Sequence, residues 1–223
     1  MIPLTFYKGP RKKKNTKKTT LLPHFFQKIP GWFLGTKTLN TVLSDIPDND
    51  YVYVEVGTYM GRSLAYFTIS SLNHKKSGKI YAIDTFAGSE EHRDPKSQDY
   101  IPQLATNPDY LYEQYLKYTK PIKEHINTIR GSSEEVSKQF EDDSIDGLYL
   151  DAAHDYDSAM SDLKAWYPKM KKEQLLLAGD DWKWSGVRKA VIEFAQENQL
   201  LILFPNDNNY ILVNYSFLEN YLI

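Results

Sequence analysis

The sequence has no cysteine among its 223 residues. It therefore has no disulfide framework, no thiolate nucleophile and no cysteine ligand for a metal. It also lacks any apolar run close to the ~18 residues that a membrane span requires. No apolar signal core follows Met1, and Lys12, Lys13 and Lys14 stand in that region instead. From these absences we predict a soluble, cytoplasmic protein without a membrane span.

The chain has no strong excess of charge of either sign. Its 27 lysine and arginine residues nearly balance 29 aspartate and glutamate residues, which leaves a net charge of −2. No chain-wide cationic field therefore indicates a nucleic-acid partner. The 41% hydrophobic and 25% charged residues are typical of a globular protein, and the length suffices for one sizeable domain.

The first 50 residues differ from the rest of the chain. Residues 1–20 carry six cations between Arg11 and Lys18. We interpret them as a flexible basic tail, with weak contact to anionic lipid or nucleic acid as the alternative. Residues 21–50 combine prolines and glycines with aromatic side chains, which predicts an irregular N-terminal cap with one short helix at 38–45. The stretch around Trp32 and Phe33 could be a lid or a dimer contact, so a homo-oligomer stays open.

From residue 51 onward, β-branched and aromatic runs alternate with helical patterns. The strands are predicted at 51–56, 79–83, 126–129, 147–150, 175–178, 200–204 and 210–215. The helices are predicted at 61–72, 109–125, 133–140, 158–170 and 187–198. This alternation predicts an α/β fold: a Rossmann-like, mostly parallel seven-stranded sheet with helices on both faces. The last two strands have no helix between them, so we expect an antiparallel C-terminal edge strand in a domain that spans 51–223.

Glycines and acidic residues follow four of these strands: Gly57, Asp84, Asp151 and the pair Asp180 and Asp181. Parallel strands end at one edge of a sheet, where open α/β folds bind ligands. Gly57 and Gly61 permit a tight turn and a close approach of the backbone to a ligand. Their spacing differs from the dinucleotide fingerprint G-x-G-x-x-G, which disfavours a dinucleotide-dependent oxidoreductase. Glu55 lies in an otherwise apolar strand, so we expect it to accept hydrogen bonds from a ligand or from the loop.

The acidic residues suggest two kinds of site. Asp84 can accept both hydroxyls of a ribose, with a turn or helix-capping aspartate as the alternative. Asp151, Asp180 and Asp181 would repel one another unless a cation or protons intervene, and oxygen ligands suit Mg²⁺ or Mn²⁺. His154 could then take a proton from a metal-bound hydroxyl. The alternative is an acidic loop edge with a structural histidine.

Four segments, at 55–63, 81–86, 130–133 and 145–151, resemble the successive motifs of class I S-adenosylmethionine-dependent methyltransferases. The segments 151–156 and 179–182 resemble the metal-dependent branch that holds the macrolide-sugar (macrocin and mycinamicin) and aminocoumarin O-methyltransferases. The match covers residues 50–215, and its specificity comes from the combined order of the motifs.

The resemblance implies transfer of a methyl group from S-adenosyl-L-methionine to a hydroxyl of a small molecule, a sugar or phenolic acceptor, with help from Mg²⁺ or Mn²⁺. It implies that Asp151, Asp180 and Asp181 hold the metal and that His154 and Asp151 are catalytic. The residues expected to contact the cofactor are Glu55, Gly57, Thr58, Tyr59, Gly61, Ser63, Asp84, Thr85, Phe86, Gly131, Ser132, Ser133, Asp151 and His154.

The acceptor does not follow from the resemblance, because the chain is short and lacks the extended N-terminal and lid regions of the natural-product enzymes. We expect the insert 87–120 to form the acceptor lid. Its wall would include Tyr100, Tyr110, Tyr112, Tyr115 and Tyr118, with His92 also placed to line a pocket. Two alternatives stay open: a metal-independent N- or O-methyltransferase with His154 or a pocket tyrosine as base, and a non-catalytic nucleic-acid-associated protein on the same fold.

Overall fold

The structure is a computed structural model that describes residues 21–152 and 154–219. The predicted basic tail, 1–20, lies outside the described residues. Seven strands form one sheet in the order β3-β2-β1-β4-β5-β7-β6. The strands are β1 (Asn49–Val56), β2 (Ser77–Asp84), β3 (Asn127–Arg130), β4 (Gly147–Leu150), β5 (Leu177–Gly179), β6 (Leu201–Leu203) and β7 (Tyr210–Val213).

The sheet is parallel except around its C-terminal strand. β1 pairs in parallel with β2 and β4, β2 with β3, and β4 with β5. β7 runs antiparallel to both β5 and β6. The predicted Rossmann-like sheet with an antiparallel C-terminal strand is therefore confirmed. The edge strand is β6, and β7 lies one position inside it. All four residues of β7 are therefore buried, whereas those of β6 are only partly buried.

Within the described ranges, α-helices cover both faces of the sheet. They are α1 (Thr36–Asp45), α2 (Arg62–Asn73), α3 (Tyr110–Thr119), α4 (Ser133–Ser137), α5 (Tyr156–Trp166), α6 (Ser185–Glu197) and α7 (Tyr215–Glu219). Side chains of α1, α2 and α3 share one apolar core, and those of α4, α5 and α6 share the other. None of the helices in the described part of the chain is long and apolar enough to cross a membrane.

The central strand β1 shows why two cores form. Tyr51 and Tyr53 point into the core of α1 to α3, whereas Val54 and Val56 point into the core of α4 to α6. Successive side chains of a strand face opposite sides, and a parallel strand covered on both sides is apolar on both. The ring of Tyr53 stacks on Phe67 of α2 at 3.5 Å between centroids, which fixes α2 against the sheet.

Prolines shorten two predicted helices. The segment 109–125 is helical only as α3 and then tightens to a 3₁₀ turn at Lys120–His125, which contains Pro121. The segment 158–170 starts earlier, as α5, because Asp155 accepts the amide of Ser158 at 2.9 Å and caps it. It ends in a 3₁₀ turn around Pro168. Proline lacks the amide hydrogen that a continuing α-helix needs.

Other boundaries also differ from the sequence prediction by a few residues. The helix predicted at 133–140 ends at Ser137, and its N-cap is Ser132, whose hydroxyl accepts the Glu135 amide. The last strand ends at Val213 and α7 follows it. Asn214 accepts the amide of Phe217 at 3.1 Å, a local side-chain bond that favours a turn over a continuing strand.

We expect Gly57→Ala to destabilise the protein by about 3 kcal/mol or more. Gly57 has φ +83°, and a Cβ there would lie 2.1 Å from the carbonyl oxygen of Asp151, a backbone atom that cannot move alone. Urea unfolding measures the loss. Gly88→Ala is the matched control, since its φ is +75° but its nearest neighbour is a Leu104 side-chain methyl at 3.0 Å. Equal losses in both variants would contradict the backbone clash.

Candidate active site

The structure brings the predicted strand-end residues together at one edge of the sheet. The amide of Tyr59, in the loop 57–61 after β1, donates to Asp84 at the end of β2 at 2.7 Å. Gly57 lies against the backbone of Asp151 at the end of β4. Beyond β5, Asp181 lies 3.1 Å from the Nε2 atom of His154. Loop, acid and histidine therefore form one continuous edge.

Glu55 is a fully buried carboxyl that holds the loop in place. The hydroxyls of Thr58 and Ser63 each donate to its Oε1 atom at 2.8 Å, and the hydroxyl of Tyr53 donates to Oε2 at 3.4 Å. Burial raises the pKa of Glu55 to about 7, and these hydrogen bonds lower it from what burial alone would give. The sequence analysis predicts that Glu55 accepts hydrogen bonds from a ligand or from the loop. The structure shows that it accepts them from Thr58 of the loop and from Ser63 at the start of α2.

The packing of neighbouring protein segments requires glycine at both positions of the loop, independently of any ligand. The bare Cα of Gly57 faces the backbone of Asp151 and Ala152, and that of Gly61 faces the side chain of Thr119, where a Cβ would lie 2.5 Å away. Both glycines have positive φ, and Gly61 immediately precedes α2. The structure shows that both glycines permit a close approach of neighbouring chain segments. The close approach to a ligand stays a prediction.

Asp84 organises the backbone on both sides of it. Its Oδ2 accepts the amide of Tyr59 and its Oδ1 the amide of Phe86, both at 2.7 Å. Burial raises the pKa of Asp84 and these two amides lower it. Tyr59 and Phe86 have φ of 48° and 54°, so Asp84 stabilises two left-handed residues. Each of its oxygens keeps a lone pair for a further donor.

Several predicted cofactor residues have partners within the protein. The side chain of Phe86 is buried and packs on Tyr112 and Tyr115. Ser132 caps α4 and donates to Glu135 at 2.9 Å, and Ser133 accepts the indole N–H of Trp166 at 2.8 Å. The exposed Thr85 and the amide of Gly131, which donates to the Asp84 carbonyl at 3.0 Å, lie beside the edge.

Asp180 is the most heavily hydrogen-bonded acid of the site. Its Oδ1 accepts from Asn208 at 2.5 Å, from Asn209 at 2.7 Å and from the amide of Asp181 at 2.8 Å. Its Oδ2 accepts from the hydroxyl of Tyr149 at 3.2 Å. The sequence analysis assigned no role to the connection between the last two strands, so it missed both asparagines. The N–H groups of asparagine side chains can supply the hydrogen bonds that a buried carboxylate needs.

His154 lies between two carboxylates and over an indole ring. Its Nε2 is 3.1 Å from Asp181 and its Nδ1 is 3.8 Å from Glu91 of the insert. Its ring stacks on Trp184 at 4.7 Å with 5° between planes. The hydrogen bond to Asp181 raises the pKa of His154, while burial opposes the rise. Glu91 and Trp184 were missed because neither follows a strand directly.

The three aspartates do not fit a metal ion as they are arranged. The Oδ1 atom of Asp180 already has three donors, and Asp181 binds His154. Burial, followed by the charges of Asp180 and Asp181, raises the pKa of Asp151 well above its ordinary value. Among the described residues, no group of three or more histidine or acidic side chains could hold a metal ion.

The insert 87–120 contains a pocket of about 210 Å³. Its lining includes Tyr100, Ile101, Leu104 and Ala105, with Arg93 at its border. Of the five tyrosines predicted on this wall, Tyr100 is the one that lines the pocket. Tyr115, by contrast, is fully buried and its hydroxyl lies 2.7 Å from that of Thr128, so it belongs to the core.

We expect the stability of the protein to fall relative to Glu55→Gln as the pH rises. The ordinary pKa is 4.5 and the folded pKa is about 7, so between these values the folded chain keeps a proton that the unfolded chain has lost. The difference corresponds to about 3 kcal/mol. Urea unfolding at pH 4.5, 6 and 8 measures it, with Glu134→Gln on the surface of α4 as control. Parallel pH profiles for wild type and Glu55→Gln would contradict the raised pKa.

Comparison with known proteins gives the site a context. The model of a family described as "Methyltransferase domain" matches residues 54–182. The protein y4gI of Sinorhizobium fredii is 26% identical over 159 residues, which is 71% of this chain and 16% of that protein. The chain thus spans about a sixth of the length of this curated relative.

Solved structures share the fold at low sequence identity. The O-methyltransferase NovP is 15% identical with a TM-score of 0.58, over 80% of this chain and 79% of its own. The calicheamicin methyltransferase CalS11 is 19% identical with a TM-score of 0.55, over 82% and 78%. SMU.1697c of Streptococcus mutans, solved in complex with SAH, is 12% identical with a TM-score of 0.53, over 78% and 93%.

The family match covers more than half of the chain and includes the loop 57–61, Asp84, Asp151 and the pair Asp180 and Asp181. The overall fold agrees with that of the solved methyltransferases. The resemblance carried by the sequence motifs is therefore confirmed, and the chain belongs to the methyltransferase-domain family.

Proposed function

We propose that the protein transfers a methyl group from S-adenosyl-L-methionine to a hydroxyl of a small molecule, a sugar or a phenol. The observation that carries this proposal is the His154–Asp181 pair on the same sheet edge as the loop 57–61 and Asp84. A base beside a nucleoside-binding edge is the arrangement that hydroxyl methylation needs.

The residues at this edge fit the cofactor. Asp84 keeps one lone pair on each oxygen for the ribose hydroxyls, and the loop 57–61 would lie along the methionyl part. When bound, S-adenosyl-L-methionine supplies a sulfonium methyl group, whose bond to sulfur breaks, with the electron pair left on sulfur, as the acceptor oxygen bonds to the methyl carbon. The protein then has to align the acceptor and remove its proton.

His154 is suited to remove that proton. Asp181 lies at its Nε2 atom, which favours the tautomer with hydrogen on Nε2 and leaves the lone pair of Nδ1 toward the insert. The side chain is 40% exposed, so an acceptor can reach it. Stacking on Trp184 holds the ring plane. We propose that Nδ1 takes the hydroxyl proton while Asp181 stabilises the resulting imidazolium.

The proposed proton transfer uses no metal. Asp180 Oδ1 is occupied by Asn208 and Asn209, and Asp181 Oδ2 lies 3.1 Å from His154. The described residues contain no group of three or more acidic or histidine side chains that could hold a metal ion. Because the donor set does not fit the ion, we derive no step through it. The requirement for a metal is tested directly by the chelator experiment below.

We propose that the pocket of the insert takes the acceptor, and its size suits a small ring-bearing substrate. At about 210 Å³ the pocket of the insert is larger than the ~150 Å³ cavity that accepts benzene in an engineered core. Tyr100, Ile101 and Leu104 give it an apolar lining. The O-methyltransferase NovP and CalS11, described as a TDP-rhamnose 3′-O-methyltransferase, support a hydroxyl as the reacting group.

We expect Asp84→Ala to weaken the binding of S-adenosylmethionine by about a hundredfold, because two ribose hydroxyls lose a charged acceptor. Calorimetric titration of the purified protein measures it. The matched control is Asp94→Ala in the exposed part of the insert. Wild-type protein that is folded but binds no cofactor would contradict the proposed function.

We expect His154→Ala and Asp181→Asn to lower turnover by about 10² to 10⁴, the usual contribution of a general base, while cofactor affinity changes little. A radiolabelled methyl-transfer assay over sugars and phenols measures turnover, with His125→Ala on an exposed turn as control. Wild-type activity should survive dialysis against EDTA. Activity lost in EDTA and restored by Mg²⁺ or Mn²⁺ would instead show that the three aspartates rearrange around an ion.

A further inference from the structure

His92 is the one residue of the insert whose side chain stacks on the loop 57–61. Its imidazole ring lies 5.2 Å from the ring of Tyr59, with 15° between the planes. The amide of Ser89 donates to its Nδ1 at 3.1 Å, and the hydroxyl of Ser89 lies 2.8 Å from the same atom. The position of the ring is therefore set from two sides.

These contacts fix where the proton of His92 resides. A backbone N–H can only donate, so Nδ1 must be an acceptor and the hydrogen of the neutral ring must be on Nε2. Burial lowers the pKa of His92, although Glu91, Asp99 and Asp84 oppose this and His154 reinforces it. The ring is thus a neutral donor at Nε2.

That donor has no acceptor in the part of the chain that the structure describes. Nε2 of His92 is buried and makes no hydrogen bond to any residue in the described ranges. A buried N–H without an acceptor is unfavourable and rare in folded proteins. A ligand oxygen at this point would satisfy it.

The surroundings indicate which ligand oxygen it meets. Tyr59, on which His92 stacks, belongs to the loop proposed to follow the methionyl part of the cofactor, and its amide binds Asp84. Two buried side-chain N–H groups near the loop lack an acceptor among the described residues: Nε2 of His92 and Nε of Arg62, whose Nη1 donates to the carbonyl of Gly31. Ribose hydroxyls can donate to Asp84. The amino-acid carboxylate of the cofactor can only accept, so it requires an N–H donor.

We infer that His92 binds the cofactor by donating its Nε2 hydrogen to the carboxylate of the methionyl part. This inference rests on the proposed function. It makes the insert part of the cofactor site as well as of the acceptor site, and it assigns a binding role to a residue outside the strand-end motifs.

Two ligands and two variants test the contact. S-adenosylhomocysteine carries the amino-acid carboxylate, whereas 5′-methylthioadenosine keeps the adenine, the ribose and the sulfur but lacks the amino acid. His92→Asn keeps an acceptor near the Nδ1 position for Ser89 and removes the Nε2 donor. His92→Gln places a neutral N–H donor near the Nε2 position. Calorimetric titration measures each affinity.

We expect His92→Asn to weaken the binding of S-adenosylhomocysteine by about tenfold to hundredfold, the range for a hydrogen bond to a charged acceptor. The affinity for 5′-methylthioadenosine should change by less than about twofold, and His92→Gln should recover most of the loss. The matched control is His24→Asn, because His24 also stacks on a tyrosine, Tyr66, at 5.0 Å. It should change neither affinity.

The remaining outcomes overturn the inference in distinguishable ways. If His92→Asn weakens the binding of both ligands equally, the residue only packs the insert against Tyr59 and does not contact the carboxylate. If it changes neither affinity, Nε2 does not touch the cofactor. If wild-type protein with a cooperative thermal transition binds neither ligand, the proposed function fails and the inference fails with it.

Discussion

The buried carboxyl of Glu55 and the two hydroxyls that donate to it fix the turn on which the site depends. Thr58 lies in the loop after β1 and Ser63 in the first turn of α2, and both bond to the same oxygen atom. This bond pair closes the loop over the end of the strand. It also presents the amide of Tyr59 to Asp84. A carboxyl inside an apolar strand is unfavourable alone, so the loop and the buried acid stabilise each other.

The same edge shows how a protein concentrates acidic side chains without leaving their charges unmatched. Asp84 accepts backbone amides, Asp180 accepts asparagine amides, Asp181 binds His154, and Asp151 has a raised pKa. Each acid therefore has its own means of compensation. The buried N–H of His92, by contrast, has no acceptor among the described residues, which is why its position is informative.

The elements of the fold follow closely from local patterns. β4 was predicted with its observed bounds, and β1, β2 and α2 were predicted to within two residues at each end, because strand and helix periodicities and glycine turns are local properties. Several errors lie where a local competitor acts: Pro121 and Pro168 tighten helices into 3₁₀ turns, and Asn214 favours a turn after β7. The asparagines that bind Asp180 could not be predicted, since 28 residues separate Asn208 from it.

The sequence by itself determined the family, the mostly parallel α/β fold class and the set of acidic strand ends, because all three depend on local patterns of a few neighbouring residues. The tertiary structure alone decided which partner each side chain takes. Phe86 and Tyr115 are buried in the core, Ser133 accepts a hydrogen bond from Trp166, and Glu91 lies beside His154. The direction of a side chain depends on backbone torsions and on packing against residues far away in the chain, and neither is encoded in the spacing of a motif.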